Sequence, residues 1–460
     1  MKTKNIIHIL LFVLFFTLNS CDSFVDIELP KSRLTKTGVF EDNTTAEAAL
    51  TSIYSKIRDE GLLTGTSFGL SNQMGYYVDE LTPFGASLGA SNNFYNNSLL
   101  PSTAEVARYW NSTYNYIYAA NSVIEGVLAS SKVSIETKYK LQGEALFIRA
   151  LLHVYLVNLF GDIPYIKNTD YKENSLVTRM PTADVYKNII ADLEQSKTLL
   201  SVTYSSIERV RPNQYAVMAL LARVYLYAGL YSQAESTASA LLGKTDVFLL
   251  EQNINQVFLI NSKETIWQLK SAAAGQNTKE GITFIFTTAP PNLNALTTEL
   301  VNSFTSNDLR KSNWIKAVSN ATSTWFHAFK YKERDFTATS KEYSIVFRLA
   351  EQYLIRAEAR AQLDNLQGAI DDLNKIRNRS GLGNTPANTK AELLAAVLQE
   401  RRWELFTEFG HRFFDLKRFN QIDNVLSITK PGWNSTDRLF PLPQSELGTN
   451  PNLGPQNPGY

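Results

Sequence analysis

Residues 213–242 have the sequence "NQYAVMALLARVYLYAGLYSQAESTASALL", in which small and apolar side chains recur at the spacing of one helix face. Gly229 lies between two such runs, where a residue without a Cβ ends one helix and lets the next begin. Small side chains on both sides of the break let the two helices pack closely. The positions that carry the pattern are Ala219, Ala222, Tyr225, Gly229, Tyr231, Ala234 and Ala238. The stretch therefore predicts a helix pair of the tetratricopeptide type.

A second pair of this type is predicted over residues 348–381, "RLAEQYLIRAEARAQLDNLQGAIDDLNKIRNRSG". Its equivalent small and apolar positions are Ala357, Ala361, Gly368, Ala369 and Leu373. Weaker helical patterns cover residues 45–60, 104–130, 137–160 and 183–200. One helix pair cannot bury its apolar face alone, so three or more pairs have to stack. The sequence thus predicts a mainly α-helical chain built as a right-handed α-solenoid.

Irregular blocks interrupt the helical patterns. Residues 61–103 are rich in Gly, Ser, Asn and aromatic side chains and follow neither the helix nor the strand period, which predicts long structured loops. Residues 245–345 contain short apolar runs, of which "ETIWQLK" (264–270) and "GITFIFTT" (281–288) are predicted strands. The C-terminal segment from residue 430 is again loop-like. Loops on a rigid base commonly carry binding sites, so we expect the binding surface in these blocks.

The composition argues against several classes of protein. The 460 residues carry a formal net charge of +1, which leaves no basic footprint for nucleic acid. A single cysteine cannot form an intramolecular disulfide or a cysteine-rich metal site. Beyond the N-terminal apolar run, no run approaches the length of a membrane span. Aromatic side chains make up 12% of the residues, and a surplus at the surface would suit ligands with flat apolar faces, such as sugars.

The N-terminus has the features of a cleaved export signal. Two lysines precede an apolar run, residues 6–16, that is too short to span a membrane. The following "LNSC" (18–21) has the order of a bacterial lipobox. We therefore expect residues 1–20 to be removed and Cys21 to carry a lipid that tethers the chain, the alternative being a secretory signal with an incidental cysteine. Asp22 resembles a surface-export signal, which favours an outer-membrane, cell-surface location.

No motif points convincingly to catalysis. "GTSFG" (65–69) matches the G-x-S-x-G elbow, but it follows a helical pattern and precedes a polar loop, so Ser67 lacks the required strand–turn–helix context. The histidines beyond the leader are far apart, and adjacent carboxylates do not face each other. These residues are His153, His327 and His411, and the pairs Asp79–Glu80 and Asp371–Asp372. We expect no enzyme, no cofactor and no metal; a carboxylate pair assembled by the fold from distant residues stays open.

Residues 398–419, "LQERRWELFTEFGHRFFDLKRF", admit two interpretations. One is a basic recognition helix, and the other is a long helix whose charges pair at i,i+4 and with neighbouring helices. The acids are Glu400, Glu404 and Glu408, and the bases that alternate with them are Arg401, Arg402 and Arg412. This mixture of signs favours ion pairing.

Six blocks of sequence together resemble the RagB/SusD family. They are "IRALLHVYLVNLFGDIPYI" (148–166), "RLAEQYLIRAEARAQL" (348–363), "AIDDLNKIRNRSG" (369–381), "ERRWELFTEFGHRFFDLKRF" (400–419), "RLFPLPQSEL" (438–447) and "NPNLGPQNPGY" (450–460). With the lipobox, the resemblance covers essentially the whole chain. The blocks are long and keep their order, which makes the resemblance far more specific than any short motif above.

The resemblance implies an α-solenoid of about four tetratricopeptide-like helix pairs that backs an irregular, loop-rich, ligand-facing lobe with a few short strands. It also implies a surface lipoprotein, not an enzyme, that binds a nutrient and delivers it to a SusC-like, TonB-dependent outer-membrane transporter. The implied regions are a leader (1–20), an N-terminal region (21–244), an irregular lobe (245–345) and a C-terminal region (346–460), packed as one unit.

The implied ligand is most often an oligosaccharide. Family members that bind glycans stack the sugar on Trp or Tyr and hydrogen-bond its hydroxyls with Asp, Asn and Arg. In the irregular blocks such candidates are Asn72, Tyr76, Tyr77, Asp79, Tyr95, Asn97, Arg310 and Trp314. Packing against the solenoid is the alternative for the tyrosines at 76 and 77, and helix capping is the alternative for the arginine. A peptide ligand, a hydrolase using Ser67 and a scaffold that binds only protein are the competing functions.

Overall fold

The computed structural model of the chain describes residues 36–85 and 89–460. The expected leader (1–20) and the expected lipidation site, Cys21, lie outside the described residues. Within the described part the chain is mainly α-helical with a few short strands, as the sequence predicts.

The helices and strands are labelled in chain order. The helices are α1 (Lys36–Val39), α2 (Asn43–Asp59), α3 (Leu70–Tyr77), α4 (Gly89–Tyr95), α5 (Ala104–Ala129), α6 (Ile135–Phe160), α7 (Tyr171–Asn174), α8 (Thr182–Leu199), α9 (Gln214–Tyr227), α10 (Tyr231–Leu242), α11 (Lys279–Phe284), α12 (Thr298–Ser303), α13 (Leu309–Trp314), α14 (Leu349–Gln362), α15 (Leu366–Arg379), α16 (Lys390–Leu405), α17 (His411–Arg418), α18 (Ile422–Thr429) and α19 (Gln444–Thr449). The strands are β1 (Leu81–Pro83), β2 (Thr265–Leu269), β3 (Asn294–Leu296), β4 (Ile315–Ser319), β5 (Thr324–Ala328) and β6 (Ser344–Arg348).

Residues 213–242 form the helix pair α9 and α10, which confirms the prediction. Asn213 caps the start of α9, because its side chain accepts hydrogen bonds from the backbone N–H groups of Tyr215 and Ala216. Gly229 separates the helices with a φ of +73°, a left-handed conformation that suits glycine. The small side chains of the pair are fully buried, so the helices pack closely. These are Ala219, Ala222, Ala234 and Ala238.

The other predicted helical segments are confirmed, and successive helices pack on one another. Helix α2 packs on α5, α5 on α6, α6 on α8, and α8 on α9; α10 packs on α14, which pairs with α15 and α16. This succession is the arrangement expected of an α-solenoid.

Within the described residues, α6 alone is long and apolar enough to cross a membrane, but 94% of its apolar window is buried inside the protein.

The irregular blocks contain more regular structure than the sequence predicts. Block 61–103 holds α3, β1 and α4. Strand β2 lies on "ETIWQLK", as expected, with Trp267 buried in it. The strand prediction for "GITFIFTT" is wrong: its first residues belong to helix α11, because Thr278 caps that helix by accepting a hydrogen bond from the N–H of Gly281. The strands form antiparallel pairs β1–β3, β2–β6 and β4–β5.

One hydrophobic cluster joins the regions on either side of the irregular lobe. It extends from Phe40 to Leu453 and includes Trp267 and Phe347 in the lobe strands. A smaller cluster lies among α14, α15 and α16. The proposed region boundaries at residues 244 and 345 stay a prediction.

Residues 398–419 form two helices, α16 and α17, not the one long helix expected from the sequence. The break lies at 406–410, where Gly410 has a φ of +79°. The acids of this stretch are buried and pair with cations from other elements: Glu400 and Glu404 contact Arg310, and Glu408 contacts Arg348. Ion pairing is therefore confirmed, with partners that come from across the fold. Within this stretch, all of which the structure describes, the expected i,i+4 pairs are not formed: Arg401 pairs with Asp415, and Arg402 and Arg412 pair with Asp79.

Candidate functional site

Seven of the eight predicted ligand residues lie inside the protein. Each is at most 4% exposed: Asn72, Tyr76, Tyr77, Asp79, Asn97, Arg310 and Trp314. Tyr95 is half-buried, with the Lys430 ammonium 3.8 Å from the centroid of its ring. A side chain with so little free surface offers no face to a sugar, so the placement of the seven does not support ligand contact.

Two of these residues join the first irregular block to the second. The side-chain oxygen of Asn72 accepts a hydrogen bond from the Asn294 amide at 2.9 Å. The Tyr76 hydroxyl donates to the carbonyl of Leu293 at 3.1 Å. Both partners lie at β3, which is also paired with β1. The predicted contact residues therefore form the support beneath the lobe.

Tyr77 and Asn97 are tied to the C-terminal part of the chain and to each other. The Asn97 amide donates to the Tyr77 carbonyl at 2.9 Å. The Tyr77 hydroxyl donates to the carbonyl of Asp437 at 2.8 Å, and its ring packs edge-on against Phe413 and Phe440. Packing, which was the alternative for this tyrosine, accounts for its position.

Arg310 and Trp314 lie in the buried charge cluster at α13. Arg310 pairs with Asp308 at 2.8 Å and with Glu400 at 2.7 Å. Because Asp308 caps the start of α13, the arginine buttresses a helix cap. The indole N–H of Trp314 donates to the Ile254 carbonyl at 3.2 Å. Both side chains thus stabilise the lobe from within.

Asp79 and Glu80 are neighbours with opposite pKa shifts. Burial would raise the pKa of Asp79, but the guanidinium groups of Arg412 and Arg402 outweigh it and lower the pKa to about 2. Burial raises the pKa of Glu80 to about 7, although its carboxylate accepts a hydrogen bond from the Thr407 N–H at 3.1 Å. Both carboxyl groups are enclosed, so the pair serves packing and charge balance.

The G-x-S-x-G stretch does not form a nucleophile elbow. Ser67 lies in the turn before α3, and its carbonyl accepts hydrogen bonds from the amides of Asn72 and Gln73, each at 2.8 Å. Within the described residues, Ser67 makes no hydrogen bond to a histidine. His153 stacks on Tyr165 at a centroid distance of 3.9 Å, and burial lowers its pKa to about 3. The other histidines beyond the leader, His327 and His411, are buried too.

An aromatic pair lies where the two irregular blocks meet. Phe84 follows β1, and its backbone N–H donates to the Leu293 carbonyl at 2.8 Å. Trp325 lies on β5, opposite Val318 of β4. The two ring centroids are 6.4 Å apart, with the ring planes perpendicular. Both side chains are half-buried, so part of each ring faces solvent.

A cavity of about 230 Å³ is lined in part by Leu293, the backbone partner of Phe84. Gly85, after Phe84, packs against its wall: a Cβ there would stand 2.2 Å from the Asn292 carbonyl oxygen. Phe286 supplies an apolar wall and contacts the His327 ring at 5.0 Å. Four exposed polar side chains surround the cavity, and in the described part of the chain none of them hydrogen-bonds to protein. They are Thr287, Thr288, Asn292 and Arg334. We call Phe84, Trp325 and this cavity the lobe face.

The chemistry of the lobe face suits binding. It offers aromatic ring surface, hydroxyl and amide groups that donate and accept hydrogen bonds, and one guanidinium. Burial lowers the pKa of His327 to about 4, so this ring is neutral at physiological pH. Among the described residues, no group of three or more His, Cys, Asp and Glu side chains is arranged to hold a metal ion.

Trp325 and Phe84 were not predicted from the sequence. A signal was present in "TWFHA" (324–328), where strand alternation places Trp325 and His327 on one face. The polar turn before this segment, residues 320–323, marks the end of a hairpin. Exposure falls along β5 from the turn inwards, so Trp325, next to the turn, stays half-buried while His327 on the same face is buried.

The fold is that of a helical-repeat protein with a loop-rich lobe, and comparison with known proteins agrees. Residues 39–226 match a family model described as starch-binding associating with outer membrane, and residues 263–460 match the model of the SusD family. Together the two models account for most of the chain. The chain belongs to the SusD/RagB family.

Individual relatives are similar over nearly their whole length. SusD-like protein P2 of Formosa agariphila is 27% identical, over 97% of this chain and 98% of its own. Among solved structures, a SusD superfamily protein from Parabacteroides distasonis is 24% identical with a TM-score of 0.77, covering 91% of this chain and 99% of that one. A structure described as a laminarin binding SusD-like protein is 23% identical with a TM-score of 0.77, covering 91% and 100%.

Membership of this family indicates a class of function. It places the chain among carbohydrate-binding proteins of nutrient uptake that associate with the outer membrane. The description of the first model names starch as the substrate that is bound.

Proposed function

We propose that this chain is a lipid-anchored protein of the cell surface that binds an oligosaccharide at the lobe face and delivers it to a SusC-like, TonB-dependent transporter. The observation that carries the ligand assignment is the half-exposed pair of Trp325 and Phe84, whose rings pack together. Phe84 is hydrogen-bonded to Leu293, which lines a cavity rimmed by free polar side chains. A sugar ring has an apolar C–H face that packs on an aromatic ring, while its hydroxyls need hydrogen-bond partners. Trp325 and Phe84 supply the first requirement, and the rim supplies the second.

The anchor and the transporter partnership rest on sequence and family. The "LNSC" order at 18–21 supports lipid attachment at Cys21. The SusD/RagB membership supports a transporter of the SusC type as the partner. The laminarin-binding relative makes a β-glucan the first ligand to try.

Trp325→Ala tests the ligand assignment. Truncating an aromatic side chain at the centre of a binding site costs about 2 kcal/mol or more, so we expect the affinity to fall by about thirtyfold or more. Calorimetric titration with gluco-, manno- and xylo-oligosaccharides measures the affinity, and chromatography of each mixture shows whether product forms. Tyr139→Ala is the matched control, because that tyrosine is 50% exposed on the solenoid helix α6.

Two results contradict the proposal for the lobe face. One is an affinity that Trp325→Ala and Tyr139→Ala leave equally unchanged. The other is the appearance of cleaved sugar, which would reopen hydrolysis at Ser67. Binding of peptides in place of every sugar would keep the face and change the ligand.

The anchor and partner are tested in cells. We expect Cys21→Ser to release the protein from the outer-membrane fraction, because the lipid attachment point is lost. Tagged wild-type protein is expected to purify together with a TonB-dependent barrel. A Cys21→Ser protein that stays in the membrane fraction, or wild-type protein that purifies without a barrel, contradicts this part of the proposal.

A further inference from the structure

A second cleft lies on the solenoid side of the molecule, apart from the lobe face. Its volume is about 480 Å³, within the range of small-molecule sites. One wall is the middle of α5, residues 110–118, the second is the segment 164–177 that follows α6, and the third is the region of α19. We call it the helix cleft. The residues that decide its chemistry are Trp110, Asn111, Tyr114, Asn115, Tyr118 and Glu446.

The aromatic surface of the helix cleft is held in place. The Tyr114 hydroxyl donates to the Pro164 carbonyl at 2.9 Å, and its ring lies 4.9 Å from that of Trp110. Trp110 in turn packs edge-on against Phe160 at 5.1 Å. Tyr118, one turn further along α5, is 49% exposed. The Tyr114 ring, which is held in place, and the exposed Tyr118 ring therefore line the same side of the cleft.

Free amide groups lie beside these rings. Asn111, Asn115 and Tyr118 are spaced i, i+4 and i+7, so they project from one face of α5, and all three are exposed. Within the described part of the chain, neither asparagine side chain hydrogen-bonds to protein. Each amide both donates and accepts, as a sugar hydroxyl does. On the opposite wall, burial raises the pKa of Glu446.

The walls are tied together and carry little charge. The Asn450 amide donates to the Val177 carbonyl at 2.8 Å, and the Asn452 amide donates to the Leu176 carbonyl at 3.0 Å. These bonds fasten the C-terminal segment to the 164–177 segment, which reduces the entropy lost when a ligand binds. Among the described residues that line the cleft, none is lysine or arginine, and Glu446 is the one carboxylic acid. An anionic ligand would find no cation there.

We propose that the helix cleft is a second saccharide-binding site, which takes a short neutral oligosaccharide stacked on Tyr118 and Tyr114 and hydrogen-bonded by Asn111 and Asn115. The site stands on its own geometry and does not require the lobe face to bind sugar. Because the two sites are lined by different residues, the protein holds one glycan chain at two points. Two linked contacts raise the apparent affinity for a long glycan through effective concentration.

The test uses full-length protein carrying Trp325→Ala, so that the lobe face is weakened. Laminaritetraose, maltotetraose, cellotetraose, mannotetraose and xylotetraose are the neutral probes, and trigalacturonate is the anionic probe; calorimetry reports affinity and stoichiometry. Tyr118→Ala and the double variant Asn111→Ala with Asn115→Ala are added on this background. All three positions are exposed, so the fold is expected to persist. Tyr139→Ala on the same background is the control for loss of an exposed ring.

We expect at least one neutral tetrasaccharide to bind the Trp325→Ala protein, and Tyr118→Ala to weaken it by about tenfold or more. The affinity for trigalacturonate is expected to be the same with and without Tyr118→Ala. The proposal is overturned if no neutral probe binds the Trp325→Ala protein, or if the bound probe is indifferent to both helix-cleft variants. Failure of the lobe-face proposal gives a different result. The protein with Trp325→Ala alone would then bind every probe with the same affinity as the wild type.

Discussion

Glu404→Gln tests the buried ion-pair cluster that joins α16 to the lobe. Glu404 has no exposed surface. One carboxylate oxygen accepts hydrogen bonds from Arg348 and Arg379, both at 2.5 Å. The other oxygen accepts from Arg310 at 3.1 Å. Glutamine keeps the shape of the side chain, but it removes the negative charge and turns one acceptor into a donor that faces a guanidinium.

The expected cost follows from this geometry. Burial by itself would raise the pKa of Glu404, but the guanidinium groups of Arg379, Arg348 and Arg310 outweigh it and hold the pKa well below its usual range. The carboxylate is therefore charged at neutral pH. Removing one partner of a buried ion pair costs about 3–5 kcal/mol. With an unfolding entropy of about 2.1 cal/mol/K per residue, a chain of this length should lose about 3 to 5 °C in Tm.

Scanning calorimetry and urea titration at pH 7 measure this loss. Glu47→Gln is the matched control, since Glu47 pairs with Lys140 at 3.1 Å and the two side chains keep 41% and 35% of their surface open to solvent. An exposed pair contributes less than about 1 kcal/mol, so the control should unfold close to wild type. If Glu404→Gln lowers the free energy of unfolding no more than Glu47→Gln does, the cluster does not stabilise the fold in the way argued.

Two further substitutions test packing and charge elsewhere. The pKa of Glu80 is raised to about 7, so the folded state favours the protonated acid. The contribution of this group to the free energy of unfolding is complete below the ordinary pKa of 4.5 and is lost as the pH rises through 7. Glu80→Gln should therefore stabilise the protein at pH 8, by up to about 3 kcal/mol, and change little at pH 4.5; equal effects in urea titrations at both pH values would contradict this. Gly126→Ala adds a Cβ that would stand 2.0 Å from the Phe40 ring, so α5 should be destabilised by about 1–3 kcal/mol despite the better helix propensity. Gly448→Ala in α19, where a Cβ meets nothing within 4 Å, should be neutral or mildly stabilising, and a Tm as low as that of Gly126→Ala would refute the steric argument.

The helical framework could be predicted because its causes are local. A small-residue pattern with one central Gly229 predicts the pair α9 and α10, and the structure confirms it. Charges of mixed sign at residues 398–419 predict ion pairing, which is also confirmed. The partners of those charges were not predictable, because Arg310 and Arg348 come from elements distant in sequence.

The sequence also predicted that aromatic and amide side chains form the proposed ligand site, but it did not predict which of them stay exposed. Trp314 and Trp325 lie in the same short stretch, yet Trp314 is fully buried against Phe258 while Trp325 keeps part of its ring in solvent. Tyr77 has the composition of a ligand contact and is enclosed by aromatic rings from the C-terminal region.

By itself, then, the sequence determined the helices, their pairing and the family, because periodicity, caps and long ordered blocks depend on residues close together in the chain. Only the tertiary structure decided which aromatic and amide groups remain open to a ligand. Exposure depends on what packs over a side chain, and those partners are distant in sequence, as Phe258 is from Trp314 and Phe413 is from Tyr77, so no local pattern reports them.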